Sequence, residues 1–190
     1  MQIFIYTRVE QKSHQYILMI KDNYFNIKED EDSNLLVNFN EDQRWFSGLT
    51  GNPQYAEVDY KADDIKGRRV HLELKQRKGT IDKFINEYKT VLIEPSKVAA
   101  FTKIQESGYT NGEKVLYVNF VDDGVILFDI DKIPYYVNYP NHHQRNFGKG
   151  EYDKNKLHEH ETRLGIPMTC AIIFRRNTNG TYQRYKHYES

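Results

Sequence analysis

Two short segments constrain this chain more than anything else in it. Tyr55-Ala56-Glu57-Val58-Asp59-Tyr60 and Arg69-Val70-His71-Leu72-Glu73-Leu74-Lys75-Gln76 both alternate apolar and polar residues. That period belongs to strands with one face toward a core. In the second segment Val70, Leu72 and Leu74 share one face, and Arg69, His71, Glu73, Lys75 and Arg77 share the other. In the first, Glu57, Asp59 and Lys61 lie opposite Ala56, Val58 and Tyr60. Setting Asp59 across from Glu73 centres the connection on Lys66, within the turn-forming run Asp63-Asp64-Ile65-Lys66-Gly67. A simple hairpin then puts Asp59, Glu73 and Lys75 on one polar face, within cross-strand reach and above a Val/Leu underside.

Each of these residue types has chemistry to offer. Two neighbouring carboxylates repel unless a cation lies between them, and hard oxygen ligands suit Mg²⁺ or Mn²⁺. Such an ion polarises a phosphoryl oxygen and lowers the pKa of a bound water. A lysine beside it can orient that water and stabilise charge in the transition state.

The arrangement resembles the PD-(D/E)XK nuclease superfamily, which has the restriction-endonuclease-like fold. The likeness is close from Tyr55 to Arg77 and looser from Glu41 to Gly112. It implies a helix before the Asp strand, then the Glu-x-Lys strand, then a helix leading to a further strand. By this resemblance Asp59 and Glu73 are metal ligands, Lys75 is the catalytic lysine, and Glu41 is the candidate for an extra acidic ligand from the first helix. Asp63 and Asp64 are alternative acids, and Val58 stands where the family name has a proline. The expected activity is Mg²⁺- or Mn²⁺-dependent hydrolysis of DNA phosphodiesters, by an endonuclease or exonuclease, with a homodimer among the expected states. The alternative is a non-catalytic module of degenerate nuclease fold, of phage or mobile-element type, that binds nucleic acid or protein.

The rest of the sequence reads as one α/β domain over residues 1–190, a mixed central sheet flanked by helices. Strands are expected at 2–8 and 15–20, an acidic loop at 28–33 and a helix at 41–48. Thr80 is placed to cap a helix from Ile81 to about Thr90, and Ser96 another from Lys97 to Ser107. Asp122-Asp123-Gly124 joins β-rich runs at 114–121 and 125–130 as a hairpin. Residues 134–165, rich in Tyr, Asn and His, read as a long loop with a helix near 154–164. A last hairpin pairs 168–176 with 181–188.

Net charge is zero, which argues against a non-specific polyanion coat but leaves room for a local basic groove. Residues 141–190 hold 9 Lys and Arg against 5 Asp and Glu, so the basic part is C-terminal. Arg77, Lys78, His142, His143 and Arg145 are the candidates for phosphate contact there and beside the hairpin. The paired His142-His143 and His158-x-His160 are rival metal ligands, though no cysteine partners them. The single cysteine, Cys170, permits no internal disulfide and points to a reducing, cytoplasmic compartment. No apolar run approaches the ~20 residues of a membrane span.

Overall fold

The computed structural model describes residues 24–25, 31–52, 57–108, 112–143 and 160–185. The strands expected at 2–8 and 15–20 lie outside them, as do residues 154–159 of the expected late helix.

The described residues open with a two-residue strand, β1 (Tyr24–Phe25), and then a helix, α1 (Glu31–Gln43). Ser33, Leu36, Phe39 and Asn40 are its buried residues, a stripe at helical spacing. This corrects two expectations: 28–33 is not all loop, and the helix ends where one had been placed to begin. Glu31 and Asp32 occupy the first turn of α1, where the helix dipole favours negative charge. Arg44, at φ 53°, closes the helix by donating its backbone N–H to the Asn40 carbonyl at 2.7 Å. The Asn40 amide then brackets Phe46, accepting from its N–H at 2.8 Å and donating to its carbonyl at 3.0 Å. Trp45 and Phe46 are thereby turned out of the helix, and Phe46 opens strand β2 (Phe46–Gly51).

Strands β2, β3 (Tyr60–Asp64) and β4 (Arg69–Gln76) form an antiparallel meander. The pairs Tyr60–Leu72, Lys61–His71 and Ala62–Val70 give the register that the sequence alternation predicts. Asp64 closes the turn: its carboxylate accepts from the Lys66 and Arg68 backbone N–H groups and from the Arg68 guanidinium. These bonds, acting against burial, hold Asp64 below its ordinary pKa.

A crossover then leads to β6 (Lys114–Val121), which runs parallel to β4. The crossover comprises a single α-helical turn, α2 (Ile81–Lys83), a π-helical turn (Phe84–Tyr88), β5 (Thr90–Ile93) and α3 (Pro95–Gly108). Thr80 caps α2 as expected, its side chain accepting from Lys83 N–H. Helix α3 starts earlier than expected. The Glu94 carbonyl accepts from the Lys97 and Val98 N–H groups, and Pro95 takes the first helical position, which needs no donor. This order of helix, meander, helical crossover and parallel strand builds the mixed α/β fold expected from the sequence.

Antiparallel β7 (Gly124–Asp129), β10 (Ile172–Arg176) and β11 (Tyr182–Tyr185) complete an eight-stranded mixed sheet ordered β1-β2-β3-β4-β6-β7-β10-β11. Gly124 matters through space rather than through turn geometry, because a Cβ there would lie 2.0 Å from the Phe174 carbonyl of β10. Residues 134–165 are not simply a loop. Strands β8 (Val137–His143) and β9 (His160–Pro167) join β5 in a second, three-stranded sheet ordered β5-β9-β8.

The main sheet is covered on both faces. Leu36 and Phe39 of α1 pack with Val70, Leu72, Leu74, Val118 and Phe120 on one side. On the other, Phe101 and Ile104 of α3 pack with Val115, Tyr117, Ile126 and Phe128, joined by Val91, Ile93 and Ile166 of the small sheet. Parallel strands buried on both faces read as continuous apolar runs, and seven of the eight residues of β6 are buried. No helix among the described residues is long and apolar enough to cross a membrane.

Candidate active site

The polar face of β4 is not a solvent face. Strand alternation directs His71, Glu73 and Lys75 to the side that α3 covers, beside Val115, Tyr117 and Asn119 of β6. Glu73 is 2% exposed. A carboxylate taken that far out of water needs a cation or donors around it. Lys97, in the first turn of α3, supplies them: its Nζ lies 2.8 Å from Glu73 Oε1 and 2.9 Å from Oε2. The same Nζ donates to the Glu57 carbonyl at 3.2 Å.

Asp59 sits at the point where the β3–β4 pairing ends. Its N–H donates to the Leu72 carbonyl at 3.0 Å, and its Oδ2 accepts from Leu74 N–H at 2.8 Å. The two candidate ligands are therefore fixed to each other's neighbourhood, Asp59 just before β3 and Glu73 on β4, and the Asp59 charge acts on Glu73. Burial pushes the Glu73 carboxyl up to about 7. Lys97 pulls it down, Asp59 pushes it further up, and Lys75 pulls it down.

Lys75 is half-buried one step along the same face. Its positive charge acts on Glu73 and also on Glu94, the residue that opens α3. Burial raises Glu94, but its own backbone N–H, Lys75 and Arg163 outweigh that and hold it below the ordinary carboxylate range. Arg163 of β9, itself buried, lies 2.5 Å from Glu94 Oε1 through Nη1. Two ion pairs, Lys97–Glu73 and Arg163–Glu94, thus lie near the N-terminal end of α3, with Asp59 and Lys75 acting on Glu73 through their charge.

The other sequence candidates go elsewhere. Glu41 is exposed on α1, the helix packed against the opposite face of the sheet, so the fold does not bring it to Asp59 and Glu73. The Arg77 guanidinium is turned inward. It donates to Asn119 Oδ1 at 3.1 Å, to the Tyr117 hydroxyl at 2.5 Å and to the Leu92 carbonyl, which ties β5 to the main sheet. Lys78 is exposed and lines a cleft of about 540 Å³ with Glu31 and Leu35 of α1, Gln76, Phe120 and Arg176, which opens on the α1 side of the sheet rather than beside Glu73. In β8, His142 and His143 pair through the backbone with Glu161 and His160, and Arg145 lies outside the described residues.

Sequence reasoning missed Glu94, Lys97, Arg163 and Tyr117. The signal for Lys97 was present: a lysine in the first turn of a helix opposes the helix dipole and calls for a nearby anion. Tyr117 is buried, and burial pushes its hydroxyl up to about 12, with Arg77 opposing, so it stays protonated as a hydrogen-bond donor. It donates to the Leu92 carbonyl at 3.3 Å.

Does this donor set suit a divalent cation? Asp59 and Glu73 offer hard oxygens, and the ammonium of Lys97 already holds a position that demands positive charge. Among the described residues, no group of three or more His, Cys, Asp and Glu side chains converges on one point. The set fits an ion held by two carboxylates and otherwise by water or phosphate oxygens, as Mg²⁺ commonly is.

No family model matches the chain, and no curated protein does. Among solved structures, the chain is similar to the Holliday junction resolvase Hjc of Archaeoglobus fulgidus, an archaeal hyperthermophile. That match has a TM-score of 0.38 and 10% identity, and covers 54% of this chain and 75% of the resolvase.

Proposed function

We propose that this chain is a divalent-metal-dependent nuclease that hydrolyses DNA phosphodiesters. The observation that carries the reading is the β3–β4 register, with Asp59, Glu73 and Lys75 at the mouth of one hairpin under α3. In this reading Asp59 and Glu73 hold Mg²⁺ or Mn²⁺, which when bound polarises the scissile phosphate and acidifies a water. Lys75 orients that water and stabilises the charge gathering on the phosphoryl oxygens. Glu94, itself paired with Arg163, is a second carboxylate whose charge attracts Lys75 on this side of the sheet.

A specific observation favours a second reading. Lys97 already neutralises Glu73, as it would in a nuclease fold that has given up its metal and kept only binding. A cleavage panel separates the two. Single-stranded, duplex and branched DNA are incubated with Mg²⁺ or Mn²⁺, using the native chain and the Lys75→Ala variant. Cleavage by the native chain that Lys75→Ala abolishes is the expected result. Binding without cleavage by both proteins leaves the second reading standing.

A further inference from the structure

Lys97 stands where a helix disfavours a cation. It lies in the first turn of α3, at the positive end of the helix dipole, and no acidic residue shares that turn. Three oxygens hold it nonetheless: both of Glu73, at 2.8 and 2.9 Å, and the Glu57 carbonyl at 3.2 Å. Carboxylate and backbone carbonyl oxygens are the donors that hard divalent cations take.

Two neighbouring cations are engaged elsewhere. Arg163 pairs with Glu94, and Lys103, further along α3, pairs with the Glu57 carboxylate at 2.9 Å. An ammonium and a metal ion both seated on one buried carboxylate would repel strongly. The Lys97 side chain is 29% exposed, and its flexible stem lets the ammonium leave Glu73 without disturbing the helix.

We propose that Lys97 is a resident cation that occupies Glu73 in the free protein, and that a backbone phosphate of the bound nucleic acid draws it away and opens Glu73 to the metal. Metal and nucleic acid then load cooperatively, each tightening the other by the same factor. The inference rests on the reading of Asp59 and Glu73 as metal ligands.

The test titrates Mn²⁺ into the full chain, followed by electron paramagnetic resonance, with and without a phosphorothioate DNA duplex. For the native chain the duplex should tighten Mn²⁺ binding by roughly 5- to 10-fold, within the usual range of coupling between sites. Lys97→Met, which keeps the stem and removes the charge, should bind Mn²⁺ more tightly without duplex and gain less than about twofold from it. Lys97→Gln is a second variant, whose neutral amide can still donate to Glu73 if methionine proves too disruptive there. Lys103→Met removes the same charge from the same helix and should behave as the native chain. Native affinity indifferent to the duplex, or full coupling retained in both Lys97 variants, overturns the proposal. Glu73→Gln tests the underlying reading separately: if it binds Mn²⁺ as well as the native chain does, the ligand assignment itself fails, whatever the duplex does.

Discussion

The two faces of β4 are buried to nearly the same degree and by opposite means. Toward α1, Val70, Leu72 and Leu74 meet Leu36 and Phe39, and burial itself is the favourable term. Toward α3, His71 and Glu73 are as deep, yet every buried heteroatom there incurs a desolvation cost. His71 Nε2 sits 2.7 Å from Glu113, and Glu73 sits on Lys97. One face gives the strand its stability. The other holds charge in low dielectric, where it is costly to keep and strong in its effect on a ligand. Substitutions on the two faces should therefore damage different observables.

The largest effect is expected on the polar face. Asp59→Ala and Lys75→Ala should each lower Mg²⁺-dependent cleavage by on the order of 10²–10³-fold, while the far-ultraviolet circular dichroism stays native. Cleavage unchanged in both variants would remove the catalytic meaning of that face. On the apolar face, Leu72→Ala should cost about 2–5 kcal/mol in urea unfolding, with cleavage per folded molecule preserved. A Leu72→Ala protein of native stability but without activity would erase the contrast.

The acid–base behaviour of Glu73 sharpens the comparison. Its carboxyl is raised to about 7 in the folded protein, chiefly by burial, so the folded state binds the proton more tightly than the unfolded chain does. Stability from this group is full at acid pH and is lost as pH rises from the ordinary carboxylate range through about 7, by at most roughly 3 kcal/mol. Thermal unfolding between pH 5 and 8 should show that decline in the native chain and a flatter profile in Glu73→Gln, with scans in ~0.1 M salt to damp surface charge. Identical slopes would mean that Lys97 compensates the burial fully.

The smallest effect belongs to Lys103. It reaches from the same helix to the Glu57 carboxylate at 2.9 Å but is 74% exposed, so Lys103→Ala should change stability by less than about 1 kcal/mol. A larger loss there would show that α3 depends on its outer ion pair as well as its inner one.

The hairpin was legible in the sequence because alternation and turn chemistry are local. Asp64 and Gly67 close the turn, and the register follows from the Val/Leu face. The burial of the polar face was not legible, because nothing within β4 records that α3 will be laid across it. The extent of α1 was missed because acidic first-turn residues look like a solvated loop until the helix behind them is known. Strand β8 was hidden by Pro140, which is tolerated there because β8 is the outer strand of its sheet and its register shifts between Tyr139 and His142. Of the site, the sequence supplied the residues that lie on one hairpin. Glu94 follows β5 and Arg163 lies on β9, so their meeting depends on long-range pairing that no local pattern encodes.

Arg77 has a consequence for anyone screening this protein for inactive variants. It follows Lys75 by two positions and looks like a natural hand for a phosphate, but its guanidinium grips Leu92 and Tyr117 from below. Leu92 belongs to the short strand whose end delivers Glu94 and starts the helix bearing Lys97. A substitution at Arg77 would loosen that strand and tilt the lysine over Glu73. An activity screen would score such a variant as a loss although no group on the polar face of β4 had been removed, and so would file a hinge pin among the cutting tools.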